Sequence, residues 1–185
     1  AAAAGCNLRP NELGLLRDEA DEKHTALARA QGSEMLGPLH GEHETVWNIR
    51  SRSKEQRMAF ELLMDPAIQL VTLLGQAGTG KTLLALDAAL ECVLTLKRYD
   101  RILVSRPIIP MGKDLGYMPG DKDEKLAHWM QPIFDNLTYL MADGSRRKEH
   151  ETDESAKQKV DKLLQAHVVD LEALTYIRGR SIPKQ

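Results

Sequence analysis

Apolar positions in the first fifty residues come in short pieces, each interrupted by acidic residues, glycine or histidine. The pieces cover residues 13–16, 26–30 and 46–49. None of them is long enough to display the 3.6-residue period of an amphipathic helix. Short apolar runs of this kind predict short strands joined by loops, so we expect a small β-rich module over residues 1–50.

A regular helix–strand pattern begins at Ser53, a residue type that caps helix N-termini. The spacing predicts a helix over residues 54–64 with Met58, Leu62 and Leu63 on one face. The step from Asp65 to Pro66 should end it, because the residue before proline avoids helical backbone angles. Residues 68–74 form a short, mostly apolar run that contains valine and threonine and is followed by Gly75. This pattern predicts a buried strand.

The next elements continue the alternation of helices and strands. Residues 83–96 are apolar on nearly every side, so they predict a buried helix. Residues 101–105 predict a second buried strand, followed by a loop rich in proline and glycine up to residue 120. A further helix should begin near Asp123, with Pro132 in its first turns or at a kink. Its apolar positions are Leu126, Trp129, Met130, Ile133, Phe134 and Leu137.

The last third of the chain is charged and then apolar again. Residues 142–162 carry acids and bases in equal number, which predicts a solvated loop and an exposed helix. Residues 168–177 predict another strand. Strands that alternate with helices are typical of an α/β fold with a mostly parallel sheet, so we expect a second domain over residues 51–185.

Composition narrows the class of protein without naming its chemistry. The 185 residues carry a net charge of −2, which argues against a generally basic surface that coats nucleic acid. No apolar run is long enough to cross a bilayer, so we expect no membrane contact. Two cysteines, Cys6 and Cys92, do not suggest a disulfide framework, and the cytoplasm is the expected location. His40 and His43 flank a glutamate, but without further ligands nearby they are expected to be solvated loop residues.

One motif carries chemistry. The segment GQAGTGKT matches G-x-x-x-x-G-K-[ST] completely and stands between a predicted strand and a predicted helix, as a P-loop requires. The expected phosphate-binding residues are Gly75, Gln76, Ala77, Gly78, Thr79, Gly80, Lys81 and Thr82. Glycines let the amides of residues 77–82 face one concavity at the positive end of the following helix. Lys81 should contact the β- and γ-phosphates of ATP, and the Thr82 hydroxyl should bind Mg²⁺.

The wider sequence resembles the PhoH-like ATPases, which are related to superfamily 1 helicases. The resemblance covers residues 47–185 and is carried by SKEQ at residues 53–56, the P-loop segment, RILVSRPIIPMGKDLGYMPG and ALTYIRGRSIP. The resemblance implies ATP hydrolysis, action on single-stranded RNA, and a ring-shaped oligomer that is expected to be a hexamer. Residues 51–185 would then be the ATP-binding and ATP-hydrolysing core of an RNA helicase or RNA-remodelling protein.

The leading region is similar to one subgroup of that family. RPNE at residues 9–12, TALAR at residues 25–29 and VWNIRSRSKEQ at residues 46–56 carry this similarity. In that subgroup a PIN-domain endoribonuclease precedes the ATPase. The resemblance therefore implies that residues 1–50 are a module that links the two, with ribonuclease activity belonging to the parent protein.

Further site residues follow from the resemblance, with structural alternatives left open. Gln56 matches a glutamine that contacts adenine, although a surface glutamine on a helix is the alternative. Arg106 and Lys113 match a loop that contacts nucleic-acid phosphate, and Tyr117 is a candidate base-stacking residue. Arg178 and Arg180 could bind phosphate or sense the triphosphate. Ordinary salt bridges are the alternative for all four cations.

An acidic pair at the end of a second apolar strand, which a P-loop ATPase uses to position Mg²⁺ and water, was not found. Asp170 and Glu172 lie within a predicted strand, so we expect them to be structural. In the resembling family the acidic strand follows the segment matched by residues 178–185. We therefore expect the fold to be incomplete at its C-terminus, the chain to belong to a longer protein, and these residues alone to be inactive.

Two other functions stay open. The chain could be an ATP-sensing assembly module that organises an oligomer without translocation. It could also be a P-loop kinase, which would need an acceptor site that no motif identifies. The helicase-like Gln56 and the segment at residues 106–120 favour the RNA-remodelling hypothesis.

Overall fold

The computed structural model describes residues 7–39, 43–107, 122–142 and 153–174. The chain forms two compact units. The N-terminal unit consists of residues 1–46 and 50–74, and the P-loop unit consists of residues 47–49 and 75–185. The tripeptide 47–49 thus packs with the second unit, although the chain on both sides of it belongs to the first. The predicted domain boundary at residue 50 stays a prediction.

The N-terminal unit is built on a three-stranded antiparallel sheet in the order β1-β2-β3. Its strands are Leu13–Arg17, Thr25–Ala30 and Leu36–Pro38. The first hairpin is closed by a side chain, since Asp18 Oδ1 accepts hydrogen bonds from the amides of Ala20 and Asp21 at 2.8 and 3.3 Å. The short strands predicted for this region are confirmed.

Two short strands and a helix complete this part of the chain. β4 (Thr45–Val46) and β5 (Ile49–Arg50) form a two-stranded sheet, and α1 spans Lys54–Leu63. The helix buries Phe60 completely and ends where Asp65 precedes Pro66, close to its predicted bounds. Asp65 also forms an ion pair with Arg29 of β2 at 2.7 Å, which ties the end of α1 to the sheet.

The buried strand predicted over residues 68–74 is wrong. The segment pairs with no strand in the part of the chain that the structure describes. Leu70 is 84% exposed and Leu74 is 91% exposed. An apolar run forms a strand only where a neighbouring backbone accepts and donates its hydrogen bonds, and none of the described strands lies beside this run.

The P-loop unit has three helices and a parallel pair of strands among its described residues. α2 (Lys81–Leu90) continues into a π-helical turn over Glu91–Thr95, close to the predicted helix at residues 83–96. β6 (Ile102–Arg106) pairs with β7 (Val169–Ala173) in parallel, with Ile102 opposite Val169. Between them come α3 (Lys122–Met141), which contains Pro132, and α4 (Asp153–Gln165).

The core of this unit lies where α2, α3 and α4 meet one face of the parallel pair. Its buried members are Leu86, Leu90, Val93, Ile102, Met130, Ile133, Leu137, Leu140, Met141, Ala156, Val160 and Val169. Phe134 packs against it, as the helix pattern indicated. The exposed helix predicted within residues 142–162 needs correction, because α4 buries Ala156 and Val160 while its other face is solvated.

The described residues form a mixed α/β structure with one parallel sheet. This arrangement is compatible with the P-loop fold that the sequence predicts, although the sheet of the N-terminal unit is antiparallel. The expected incompleteness at the C-terminus and the linking role of residues 1–50 stay predictions.

Three features of the described residues limit the chemistry to be considered. None of their helices has the length and apolarity needed to span a bilayer. They contain no group of three or more His, Cys, Asp and Glu that could hold a metal ion, while residues 40–42 lie outside them. Cys92 is a buried free thiol, and burial raises its pKa, so it is expected to behave as a small apolar residue.

Candidate nucleotide-binding site

The loop at residues 75–82 owes its shape to glycines. Gly78 has a φ of 81° and Gly80 has a φ of 86°, both in the left-handed region that other residues occupy at a cost. At Gly75 an added Cβ would make ordinary van der Waals contact with Thr79 Oγ1 at 3.4 Å. The two left-handed glycines therefore let the loop turn sharply, and the chain then passes directly into α2.

Main-chain donors are available along this loop. No described residue accepts a hydrogen bond from the amides of Ala77, Gly78 or Gly80. Gly80 is the N-cap of α2 and offers no side-chain acceptor to the first helical turn. The first amides of a helix have no partner within the helix, and they stand at its positive end. The loop and the helix N-terminus thus form a run of donors suited to an anion.

Lys81 and two threonines supply the side-chain chemistry. Lys81 Nζ donates to the carbonyl oxygens of Gly75 and Gln76 at 2.8 and 2.7 Å, and lies 3.4 Å from Thr79 Oγ1. The Thr79 hydroxyl donates to the same Gln76 carbonyl at 2.9 Å. Thr82 is exposed at the first turn of α2. A flexible ammonium group held on loop carbonyls is within reach of a phosphate that enters the loop.

These residues fit a nucleoside triphosphate with Mg²⁺. Amides of the loop and of α2 can donate to phosphate oxygens, Lys81 can add a positive charge, and the exposed Thr82 hydroxyl is a hard oxygen ligand of the type that Mg²⁺ prefers. The role of each residue stays a prediction, and it is tested by the substitutions below.

The left-handed glycine gives a direct test of the loop geometry. Gly78→Ala is expected to lower the free energy of unfolding by about 1–2 kcal/mol. The cause is steric: in the left-handed conformation the Cβ of alanine lies too close to the following carbonyl oxygen. Gly14→Ala is the matched control, since both glycines leave open space for a methyl group and only Gly78 has a positive φ. Gly14 lies in β1, so Gly14→Ala should leave the free energy of unfolding unchanged or raise it by up to about 1 kcal/mol. Equal urea midpoints for the two variants would contradict the loop geometry.

Gln56 has a structural role in the N-terminal unit. Its amide donates to Ser53 Oγ at 3.2 Å, and its side-chain Oε1 accepts from the amide of Arg52 at 2.8 Å. This exchange is a variant of the capping box: Ser53 satisfies the Gln56 amide, while the Gln56 side chain satisfies the amide of Arg52, one residue before the N-cap. The alternative of a structural glutamine thus has a concrete basis, and the adenine contact stays a prediction.

Arg106 is the last residue of β6, at the carboxyl edge of the parallel pair where α/β proteins bind ligands. The other candidates for nucleic-acid contact or triphosphate sensing lie outside the described residues; they are Lys113, Tyr117, Arg178 and Arg180. The structure thus describes one of the five candidates, Arg106 at the end of β6, and its contact with nucleic acid stays a prediction.

Asp170 is bonded on the protein side, as expected of a structural acid. It lies in β7 opposite Leu103, its Oδ1 is 2.9 Å from His167 Nδ1, and its Oδ2 is 3.6 Å from an Arg101 nitrogen. Both carboxylate oxygens therefore have partners at the base of the sheet. This arrangement favours the structural role that the sequence assigned to it.

Sequence reasoning missed one acid near the P-loop. Asp87 of α2 is completely buried, and burial raises its pKa to about 7. The signal was present in the helix segment LLALDAAL at residues 83–90, where one aspartate interrupts an otherwise apolar run. Charged residues are seldom fully buried unless they are paired, so an acid inside an apolar helix merits a search for its partner.

Comparison with known proteins places these features in a wider group. Residues 48–185 match the family described as PhoH-like protein. The chain is 46% identical over 177 residues to Protein PhoH2 of Bacillus subtilis, which covers 95% of this chain and 38% of that protein. It is 36% identical over 159 residues to Protein PhoH2 of Thermobispora bispora, and the match covers 85% of this chain and 33% of that protein.

A third relative is more distant. Protein PhoH of Escherichia coli is 32% identical over 121 residues, covering 65% of this chain and 33% of that protein. The chain therefore spans between a third and two fifths of the length of these curated relatives. No solved structure was found to match it.

Proposed function

Because this chain belongs to the PhoH-like protein family, we propose that it carries the ATP-binding core of an ATP-hydrolysing, RNA-remodelling protein. The observation that carries the proposal is the loop at residues 75–82, where left-handed glycines, open amides and Lys81 meet at the start of α2. A small set of donors in this arrangement recognises a polyphosphate, which the resemblance to ATPases narrows to ATP.

Each group in the loop has a defined task in this proposal. The amides of residues 77–82 bind phosphate oxygens, and Lys81 moves from the carbonyls of Gly75 and Gln76 to the β- and γ-phosphates. Thr82 holds Mg²⁺, which when bound neutralises charge that develops on the phosphates. The loop atoms need little rearrangement, because their backbone angles are already set by the glycines.

Gln56 contacts the adenine edge in this proposal, and one substitution separates that contact from the capping box. Gln56→Glu keeps an acceptor for the Arg52 amide but loses the amide donor that adenine recognition uses. We expect the stability of α1 to be retained while ATP affinity falls by about tenfold, the value of one or two lost hydrogen bonds. Calorimetric titration with ATP measures the affinity.

The control for that experiment weakens the cap and leaves Gln56 in place. Ser53→Ala removes the acceptor for the Gln56 amide and should cost about 1 kcal/mol of stability without changing ATP affinity. If Gln56→Glu binds ATP as well as the unchanged protein does, Gln56 serves the helix cap and the adenine contact is rejected.

RNA is the proposed partner, and a ring of subunits, expected to be a hexamer, is the proposed assembly in the cytoplasm. Arg106 at the carboxyl edge of β6 supports an RNA contact by its charge and position, and Lys113, Tyr117, Arg178 and Arg180 complete the proposed set. The similarity of residues 1–50 to a linking module supports coupling to a PIN-domain endoribonuclease in the full-length protein.

The test of this function is ATP turnover by the full-length protein with and without single-stranded RNA. Stimulation of turnover by RNA, together with ATP-dependent strand separation, is the expected result. Turnover that is indifferent to RNA, with no strand separation, would reject RNA remodelling. Negligible turnover with ATP-dependent oligomerisation would instead favour the ATP-sensing assembly module.

A further inference from the structure

A buried carboxyl group stands on the same helix as the P-loop lysine. Asp87 lies in α2, which begins at Lys81, and its side chain is completely buried. Its Oδ1 accepts a hydrogen bond from the amide of Asn48 at 3.2 Å. Its Oδ2 is also buried and has no hydrogen-bond partner among the described residues. A carboxylate in this position would leave a charge in an apolar site, which is costly.

Asn48 makes a second bond that connects α2 to another helix. Its side-chain Nδ2 donates to the main-chain oxygen of Leu140 at 2.8 Å, near the end of α3. Asp87, Asn48 and Leu140 all belong to the P-loop unit. One residue of the tripeptide 47–49 thus touches both helices, and we refer to these two hydrogen bonds as the Asp87–Asn48 bridge.

We propose that Asp87 is a positioning residue for the P-loop, because the Asp87–Asn48 bridge fixes α2 against α3 and so holds the helical turn that carries Lys81 and Thr82. The proposal rests on the proposed nucleotide-binding function of that turn. Asp87 acts through Asn48 and through its own helix, and it does not need to touch the nucleotide.

The charges around Asp87 make the bridge sensitive to pH. Burial is the main cause that raises the pKa of Asp87 to about 7; the hydrogen bond from Asn48 opposes it, and Glu91 on the following π-helical turn raises the pKa further. The tripeptide 47–49 and the facing end of α3 at Leu140 and Met141 contribute no ionisable side chain. Among described residues, no cation compensates the ionised form.

The direction of the pH effect follows from the raised pKa. The ordinary pKa of an aspartate is near 4, so between about pH 4 and pH 7 the folded protein binds the proton that the unfolded chain has lost. The contribution of Asp87 to stability is therefore fully present below pH 4 and is lost as the pH rises to about 7. Within the folded protein, ionisation near pH 7 places a charge in an apolar site, and although the bond from Asn48 favours that charge, the cost of burying it should open the packing of α2 against α3 and the start of α2.

Hydrogen exchange of the full chain in the absence of nucleotide tests the bridge directly. Asp87→Asn keeps an oxygen that can accept from the Asn48 amide but cannot ionise. At pH 4, where the contribution of Asp87 is present, peptides covering α2 should be equally protected in the variant and the unchanged protein. At pH 8, the unchanged protein should be less protected than the variant, by about fivefold for a coupling at the low end of the usual range.

Two further variants serve as controls. Asp161→Asn neutralises an exposed acid of α4 and should exchange like the unchanged protein at both pH values. Asn48→Ala removes the bond to Leu140 and should reduce the protection of α2 at both pH values. Equal protection of α2 in the Asp87→Asn variant and the unchanged protein at pH 8 would overturn the proposal. Full protection of α2 in Asn48→Ala would also overturn it, even if Asp87→Asn failed to fold.

ATP binding then separates this inference from the function it rests on. Between pH 6 and pH 8, the ATP affinity of the unchanged protein should fall further than that of Asp87→Asn. The extra fall should be about fivefold, as for hydrogen exchange. Parallel pH profiles for the two proteins would overturn the positioning role. If the unchanged protein binds no ATP at either pH, the proposed function fails, and the exchange experiment still decides whether the bridge holds α2.

Discussion

Lys81→Ala is expected to abolish the binding of ATP while leaving the fold intact. The Lys81 ammonium group contacts the carbonyls of Gly75 and Gln76 and the Thr79 hydroxyl, all within the loop itself. Its truncation therefore opens no cavity in the apolar core. Several charge-assisted hydrogen bonds to phosphate would be lost, so affinity should fall by about 100-fold or more. Calorimetric titration with ATP and Mg²⁺ measures the loss.

A lysine elsewhere on the surface provides the control. Lys157 is exposed on α4, and Lys157→Ala removes the same charge from the chain without touching the loop. It should bind ATP like the unchanged protein, and both variants should keep its circular dichroism spectrum. Undiminished ATP binding by Lys81→Ala would contradict the P-loop assignment, and with it the proposed function.

Elements encoded by neighbouring residues were predictable from the sequence. The helix α1 was found because Ser53 caps its first turn and the step from Asp65 to Pro66 ends it, both of which are local effects. The P-loop was found because the glycines that it needs stand at fixed spacing, and Gly78 and Gly80 do adopt positive φ. In each case the physical cause lies within a few residues of the element.

Features that depend on distant partners were not predictable in the same way. Residues 68–74 have the composition of a buried strand, yet pairing is decided by another part of the chain, and β6 pairs with β7 instead. The apolar stripe of α4 was hidden by its equal numbers of acids and bases. Asp87 was overlooked because its partner Asn48 is far away in sequence. Asn48 also donates through its main-chain amide, so its side-chain type does not reveal the bond.

Leu90→Ala is expected to destabilise the P-loop unit strongly. Leu90 is completely buried in the cluster formed by α2, α3, α4 and the parallel strands. Its truncation removes apolar contacts and leaves a cavity, which should lower the free energy of unfolding by about 2–5 kcal/mol. Small domains are stable by only about 5–15 kcal/mol, so the midpoint of urea unfolding should move visibly. Leu96→Ala, just beyond the π-helical turn and 41% exposed, is the matched control and should cost much less.

The response to ATP distinguishes a loss of packing from a loss of the site. A ligand that binds only the folded state at about 100 times its dissociation constant adds about 2.7 kcal/mol of stability. Leu90→Ala keeps the loop at residues 75–82, so ATP with Mg²⁺ should restore part of its lost stability. Lys81→Ala should begin with normal stability and gain nothing from ATP. If ATP stabilised Lys81→Ala as much as Leu90→Ala, the nucleotide would be bound elsewhere, since the loop would then contribute nothing to its affinity.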